Sequence, residues 1–224
     1  MNEIRAAEVG GMGEKLPHFG TEHFFRKVQE HFPTARLNRI LIVGCGPGEE
    51  VPYIRKRFKA AAFGFDLDYP WMRNTTAKGY VIIADAHRMP FPPESFDAVF
   101  AHHVLEHVGD EYSAVWQIFR VLRPGGVLYV GVPNKRRVVS LGITRRDGGK
   151  LAKLARLIEC NVIDYRDRLR GRWDNHKGAH AGFTLQELCR LLEPYFEQIV
   201  DLTGDYLRAK YARWPGLIDV ATYP

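Results

Sequence analysis

The chain has 224 residues, with 32 Lys and Arg against 26 Asp and Glu for a formal net charge of +6. That length suits one full core with decorations, and 46% apolar with 26% charged residues excludes a disordered or fibrous chain. Three scattered cysteines (Cys45, Cys160, Cys189), no run of 18 apolar residues and no apolar N-terminal core argue against a disulfide framework, a membrane span and a secretory leader, and point to a reducing, cytoplasmic setting.

Residues 1–20 are glycine-rich and polar and read as an arm. Thr21 is placed to cap a helix from Glu22 to about Phe32, with Phe24, Phe25, Val28 and Phe32 on one face. Residues 1–37 thus form an arm and helix before a domain over 38–224. Ile40-Leu41-Ile42-Val43 reads as a buried strand, followed by Gly44-Cys45-Gly46-Pro47-Gly48 as a tight turn and by a helix near 48–58. Glycine there lets a ligand lie against bare backbone, and the helix N-terminus that follows faces it. A second strand near 61–66 ends in Asp66 and Leu67, where a carboxylate can accept both hydroxyls of a ribose. A helix is expected near 69–76, then a third strand over 80–84 that ends in Asp85 and Ala86. An acid there can take the adenine amino group, and the Ala86 backbone can bond the ring edge. The spacing is Gly-x-Gly-x-Gly, not the wider dinucleotide fingerprint, and two acids suit a mononucleoside held at both ends.

Strands near 97–102 and 126–132, a helix near 111–122, and a last helix opened by the capping box Thr184 to Glu187 complete the alternation. Asp97 is expected to fix the entry to the fourth strand, and Pro124-Gly125-Gly126 to be a turn. Residues 196–202 and 206–214 are expected as closing strands.

With the motifs from Met89 to Val99, Val104-Leu105-Glu106-His107-Val108 and Arg120 to Leu128 in order, the chain resembles the class I S-adenosylmethionine-dependent methyltransferases, closely over about 38–134 and more loosely over 180–204. The resemblance implies an α/β, Rossmann-like, seven-stranded and mostly parallel sheet with helices on both faces and an antiparallel final hairpin. It implies S-adenosylmethionine as cofactor, held by Gly44, Cys45, Gly46, Gly48, Asp66, Leu67, Asp85, Ala86 and His102.

Residues 134–181 break the pattern with 13 Lys and Arg against 5 Asp and Glu, a net +8 that exceeds the +6 of the whole chain. Within them Leu151, Leu154, Ala155, Ile158, Val162 and Tyr165 recur at helical spacing, as expected of a lid helix with its apolar side on the core. The charge suits an anionic acceptor; it would also suit RNA or an acidic membrane surface.

Methyl transfer needs an aligned nucleophile and, for a hydroxyl, a general base. His103, His107 and His180 are the candidates. The segment His103 to His107 also resembles the ubiquinone-pathway O-methyltransferases, whose Glu-x-x-Glu-His pattern is linked to a divalent metal. Here His103 replaces the first Glu, which argues against a hard metal, and no metal is expected. Pro133-Asn134-Lys135 and His180-Ala181-Gly182-Phe183-Thr184 resemble methyltransferases associated with surface glycans and lipid-linked saccharides. Together these readings favour O-methylation of a small-molecule or lipid-linked glycan acceptor. An RNA methyltransferase, a metal-assisted quinone-type enzyme and a cofactor-binding scaffold without activity are the alternatives. No Asn-Pro-Pro-Tyr or Asp-Pro-Pro-Tyr follows the fourth strand, which argues against methylation of an adenine amino group.

Overall fold

An apolar run without polar alternation must be covered on both faces. Accordingly Arg39–Val43 (β1) is the central strand of a parallel sheet in the computed structural model, which describes residues 19–68, 73, 75, 77–137 and 150–210. The other strands are Ala61–Asp66 (β2), Val81–Ile83 (β3), Phe96–His102 (β4) and Leu122–Gly131 (β5), in the order β3-β2-β1-β4-β5. All four pairings are parallel. The helices are Phe19–His31 (α1), Glu50–Phe58 (α2), Glu111–Val121 (α3), Lys150–Leu169 (α4), Leu185–Leu192 (α5) and Thr203–Lys210 (α6).

Two cores result. Val99 and Ala101 of β4 pack with Val115 and Ile118 of α3 and Leu191 of α5. Ala98 and Phe100 point the other way, onto Phe24 and Val28 of α1 and Val51 and Ile54 of α2. Asp97 locks the sheet entry, as expected. Its Oδ2 accepts from the Asn38 and Arg39 amides at 3.0 and 2.9 Å, and its Oδ1 from Arg123 at 2.6 Å. The Pro-Gly-Gly turn is a bulge: Phe96 pairs with Leu122 but Ala98 with Val127, and Gly125 takes φ 73°. The capping box of Thr184 and Glu187 is present on α5.

Three expectations change. Five strands are described instead of seven, and no antiparallel hairpin closes the sheet among the described residues. Residues 196–202 form no strand, residues 206–210 lie in α6, and 211–214 fall outside the described residues. Local charge favours that helix: Asp201 accepts from the Thr203 amide at 2.9 Å, and Asp205 in the first turn pairs with Arg208 at 2.7 Å. Secondly, α1 starts at Phe19, so Thr21 is no cap; it is buried inside the helix and donates to Glu50 Oε2 at 2.7 Å. Thirdly, the apolar face expected of α4 does not pack inward: Ala155, Ile158, Val162 and Tyr165 are exposed. The polar side of the helix is anchored instead. The side chains of Leu151 and Leu154, the arm over 1–18 and most of the helix expected near 69–76 lie outside what is described.

His23 ties α1 to β5, with Nδ1 3.0 Å from the Tyr129 hydroxyl and Nε2 buried without a partner among the described residues. Burial pushes its pKa from 6.5 down to about 4. The unfolded chain therefore binds the proton first, so this group leaves stability intact above pH 6.5 and lowers it as pH falls from 6.5 toward 4. Urea midpoints should drop across that window, with this histidine contributing up to about 1.4 kcal/mol per pH unit. His23→Phe should flatten the fall; an unchanged slope would show that His23 does not set it.

Candidate active site

The turn after β1 uses left-handed backbone at Gly44, Gly46 and Gly48, with φ of 64°, 53° and 79°. The three glycines have different duties. A Cβ on Gly44 would lie 2.4 Å from Val104 Cγ2, and one on Gly48 3.0 Å from Thr75 and Val81, so both permit packing. A Cβ on Gly46 would meet nothing within 4 Å, which makes this glycine the one that faces open space. The Gly46 amide donates to Asp66 Oδ2 at 2.7 Å, and the Asp68 amide to Oδ1 at 2.9 Å. Leu67 stands beside them at 68% exposure.

Cys45 is a packing residue. Its amide donates to the Phe65 carbonyl at 3.0 Å, its side chain fills the space that a Cβ on Gly64 would need, and burial pushes its thiol up to about 12. Glu49 and Glu50 open α2. Two carboxylates there disfavour a phosphate, which fits a nucleoside cofactor without pyrophosphate.

Beyond β3, Asp85 Oδ1 accepts from the His87 amide at 2.9 Å and lies 2.6 Å from His87 Nδ1. The Asp110 amide donates to His87 Nε2 at 3.3 Å, which assigns the ring proton to Nδ1. These bonds, that of the His87 amide first, hold Asp85 below the usual carboxylate range and leave Oδ2 without a bond among the described residues. Ala86 beside it is nearly buried. Sequence reading did not find His87, because the bond that fixes it comes from a loop 23 residues away.

The tip of β4 carries the second half of the site. His103 adopts φ 58°, uncommon for a residue with a side chain, while its amide donates to the Gly131 carbonyl at 2.7 Å. Its Nδ1 lies 3.0 Å from Oε1 of Glu106, a buried carboxylate. Glu106 Oε2 is also buried and has no hydrogen-bond partner among the described residues. His107 Nε2 lies 4.0 Å from Glu106 Oε1, and its ring meets that of His180 edge-on at 4.6 Å. Burial holds His107 below its ordinary pKa; Glu106 opposes the shift and His180 adds to it. His102, His103, His107, His180 and Arg137 line part of one cavity whose walls run from Leu122 along the length of β5 to Pro133. The glycine turn and Asp66 are not among its walls, and Val104, packed on Gly44, is where the two halves meet. Among the described residues no group of three His, Cys, Asp or Glu side chains is placed to hold a metal ion.

His102 sits elsewhere than the nucleoside side. Alternation along β4 turns it toward α1 and α6, where it stacks on Phe100 and lies 3.4 Å from the Tyr206 hydroxyl. Burial, with smaller effects from His103 and Lys210, pushes it down to about 3, so it is neutral at ordinary pH.

Residues 41–130, the stretch holding the glycine turn, both acids and the histidine tip, match the family model of a methyltransferase domain. They form a class I S-adenosylmethionine-dependent methyltransferase domain. An O-methyltransferase of Aspergillus nomiae is 33% identical over 51% of this chain and 58% of its own. The malonyl-[acyl-carrier protein] O-methyltransferase of Salmonella typhimurium is 33% identical over 40% of this chain and 36% of its own. The trans-aconitate 2-methyltransferase of Paracidovorax citrulli is 28% identical over 61% of this chain and 58% of its own. The chain thus spans between 36% and 58% of the length of these three relatives.

Within the methyltransferase domain, Asp66 is the residue whose loss should be felt most directly at the cofactor. Asp66→Ala removes a charged acceptor and frees the Gly46 amide. It should weaken S-adenosylmethionine about ten- to a hundredfold, or about 1.4–2.7 kcal/mol. Titration calorimetry checks this, and unchanged affinity would remove Asp66 from the site.

Proposed function

We propose that this chain transfers the methyl group of S-adenosylmethionine to an oxygen of an anionic acceptor, a small molecule or a lipid-linked glycan. One observation carries the reading: His103, held in left-handed backbone, is gripped by the buried Glu106 next to the loop that packs on the glycine turn. When bound, the cofactor supplies a sulfonium-activated methyl group. Gly46 gives it room, Asp66 and Leu67 take its ribose side, and Asp85 with Ala86 take its base. Gly44, Cys45 and Gly48 hold the turn in shape.

His103 donates through Nδ1 to Glu106, which leaves the Nε2 lone pair to accept the proton of an acceptor hydroxyl. The imidazolium that forms lies 3.0 Å from the Glu106 carboxylate, which stabilises it. His107 and His180 orient the acceptor, His107 as a neutral hydrogen-bonding group. The net +8 of residues 134–181 supports an anionic acceptor. So do the names of two relatives, whose acceptors are malonyl-[acyl-carrier protein] and trans-aconitate. The same charge favours RNA as the second reading.

Incubation with methyl-labelled S-adenosylmethionine and fractionated cell extract, with and without ribonuclease, separates these readings. Label in an acidic small molecule or lipid-linked glycan supports the proposal. Label lost with ribonuclease replaces it by RNA methylation, and cofactor binding without label in any fraction leaves a scaffold. With the acceptor in hand, His103→Ala should lower kcat by about 10²–10⁴-fold for a hydroxyl acceptor, with little change in KM. A carboxylate acceptor is already ionised, and a loss under about tenfold would identify that class and remove His103 as the base.

A further inference from the structure

Helix α4 is amphipathic in the reverse sense from a soluble surface helix. Ile158, Val162, Tyr165 and Leu169, at spacings of four, three and four, form one outward stripe with exposures of 56%, 61%, 47% and 89%. Its other side is the polar one and is fastened inward. Asp167 is buried with the half-exposed Arg166 3.4 Å from its carboxylate, Asp164 pairs with Arg137 at 3.1 Å, and Arg168 donates to the carbonyls of Lys135 and Arg137 at 3.3 and 2.6 Å. The stripe is contiguous, lining one shallow groove together with Arg166 and Arg170. Exposed Arg172 and Lys177 follow in the chain, and Glu159 is the exposed acid on the same helix.

We propose that this face of α4 docks the protein on an anionic lipid bilayer. The aliphatic side chains enter the boundary between headgroups and acyl chains, and Arg166 and Arg170 meet lipid phosphates. Tyr165 suits that depth, being apolar in body and polar at the tip. Charge selects the occupant. The segment carries a net +8, so anionic headgroups are complementary to it, whereas a two-fold dimer through this face would press two such segments together. Cys160, Ile163 and Asp164 of the same helix line the cavity of the His103 cluster. The proposal does not depend on which acceptor is methylated.

The test uses the full chain without acceptor, sedimented with phosphatidylcholine vesicles with or without about 30 mol% phosphatidylglycerol. Binding is expected to the anionic vesicles alone and to weaken with salt. Val162→Ser with Leu169→Ser should lower partitioning at least about tenfold, leaving thermal unfolding and S-adenosylmethionine affinity as in the wild type. Arg166→Gln with Arg170→Gln should remove the preference for anionic lipid. Absence of binding to anionic vesicles, or wild-type binding by the double serine variant, would overturn the proposal. A lipid-free dimer that the double serine variant turns into a monomer would also overturn it, in favour of a second copy.

Discussion

The 2.7 Å bond from the Gly46 amide to the Asp66 carboxylate is the contact on which the rest of the site depends. It closes the turn after β1 against the tip of β2, and the β1–β2 register, with Val43 opposite Phe65, brings the two into range. A side chain at Gly46 would strain this turn, and one at Gly44 would push Val104 away. Since Val104 follows His103, the position of the histidine relative to the turn is set by how closely these two loops approach. Glu106 then fixes the ring. A carboxyl group buried with one unpartnered oxygen is costly to keep, and the contact with His103 Nδ1 at 3.0 Å offsets part of that cost.

A second constraint holds the basic segment to this frame. Two guanidinium groups approach the ring of Trp173, Arg137 at 4.7 Å and Arg168 at 4.2 Å, and the indole N–H donates to the Lys135 carbonyl at 2.9 Å. Arg137 also donates to the carbonyls of His180 and Ala181 at 2.7 and 2.8 Å, which joins the end of β5, α4 and the loop before α5. Part of the positive charge of this segment is therefore structural. Arg137 and Arg168 bind the protein to itself, Arg166 reaches the buried Asp167 at 3.4 Å, and the cations left for a partner are those at the surface, such as Arg170 and Arg172.

What was legible in the sequence was local. The strands around Ile40–Val43 and Phe96–His102 announce themselves as apolar runs, the turn by its glycines, the start of α5 by Thr184 and Glu187, and the role of Asp97 by its place at a strand entry. What was not legible depends on partners far away in the chain. Helical periodicity located α4 but put the wrong side inward, because the inward side is tied down by Arg137, 27 residues before Asp164. The burial of Glu106 and the grip of His87 on Asp85 are tertiary facts of the same kind. The closing hairpin was expected from the fold as a whole; residues 203–210 form a helix instead, held to α1 by the Lys27–Asp205 pair at 2.6 Å.

The central claim is that the glycine turn, the acids after β2 and β3, and the β4 tip form one cofactor site. Titration of isotope-labelled protein with S-adenosylhomocysteine, followed by amide resonances, tests this most directly. The account predicts saturable shifts with one-to-one stoichiometry at Gly44, Gly46, Leu67, Ala86 and His103, while the outward residues Val162 and Leu169 of α4 stay in place. Saturation with those five amides unmoved, or no saturation at all, would contradict it.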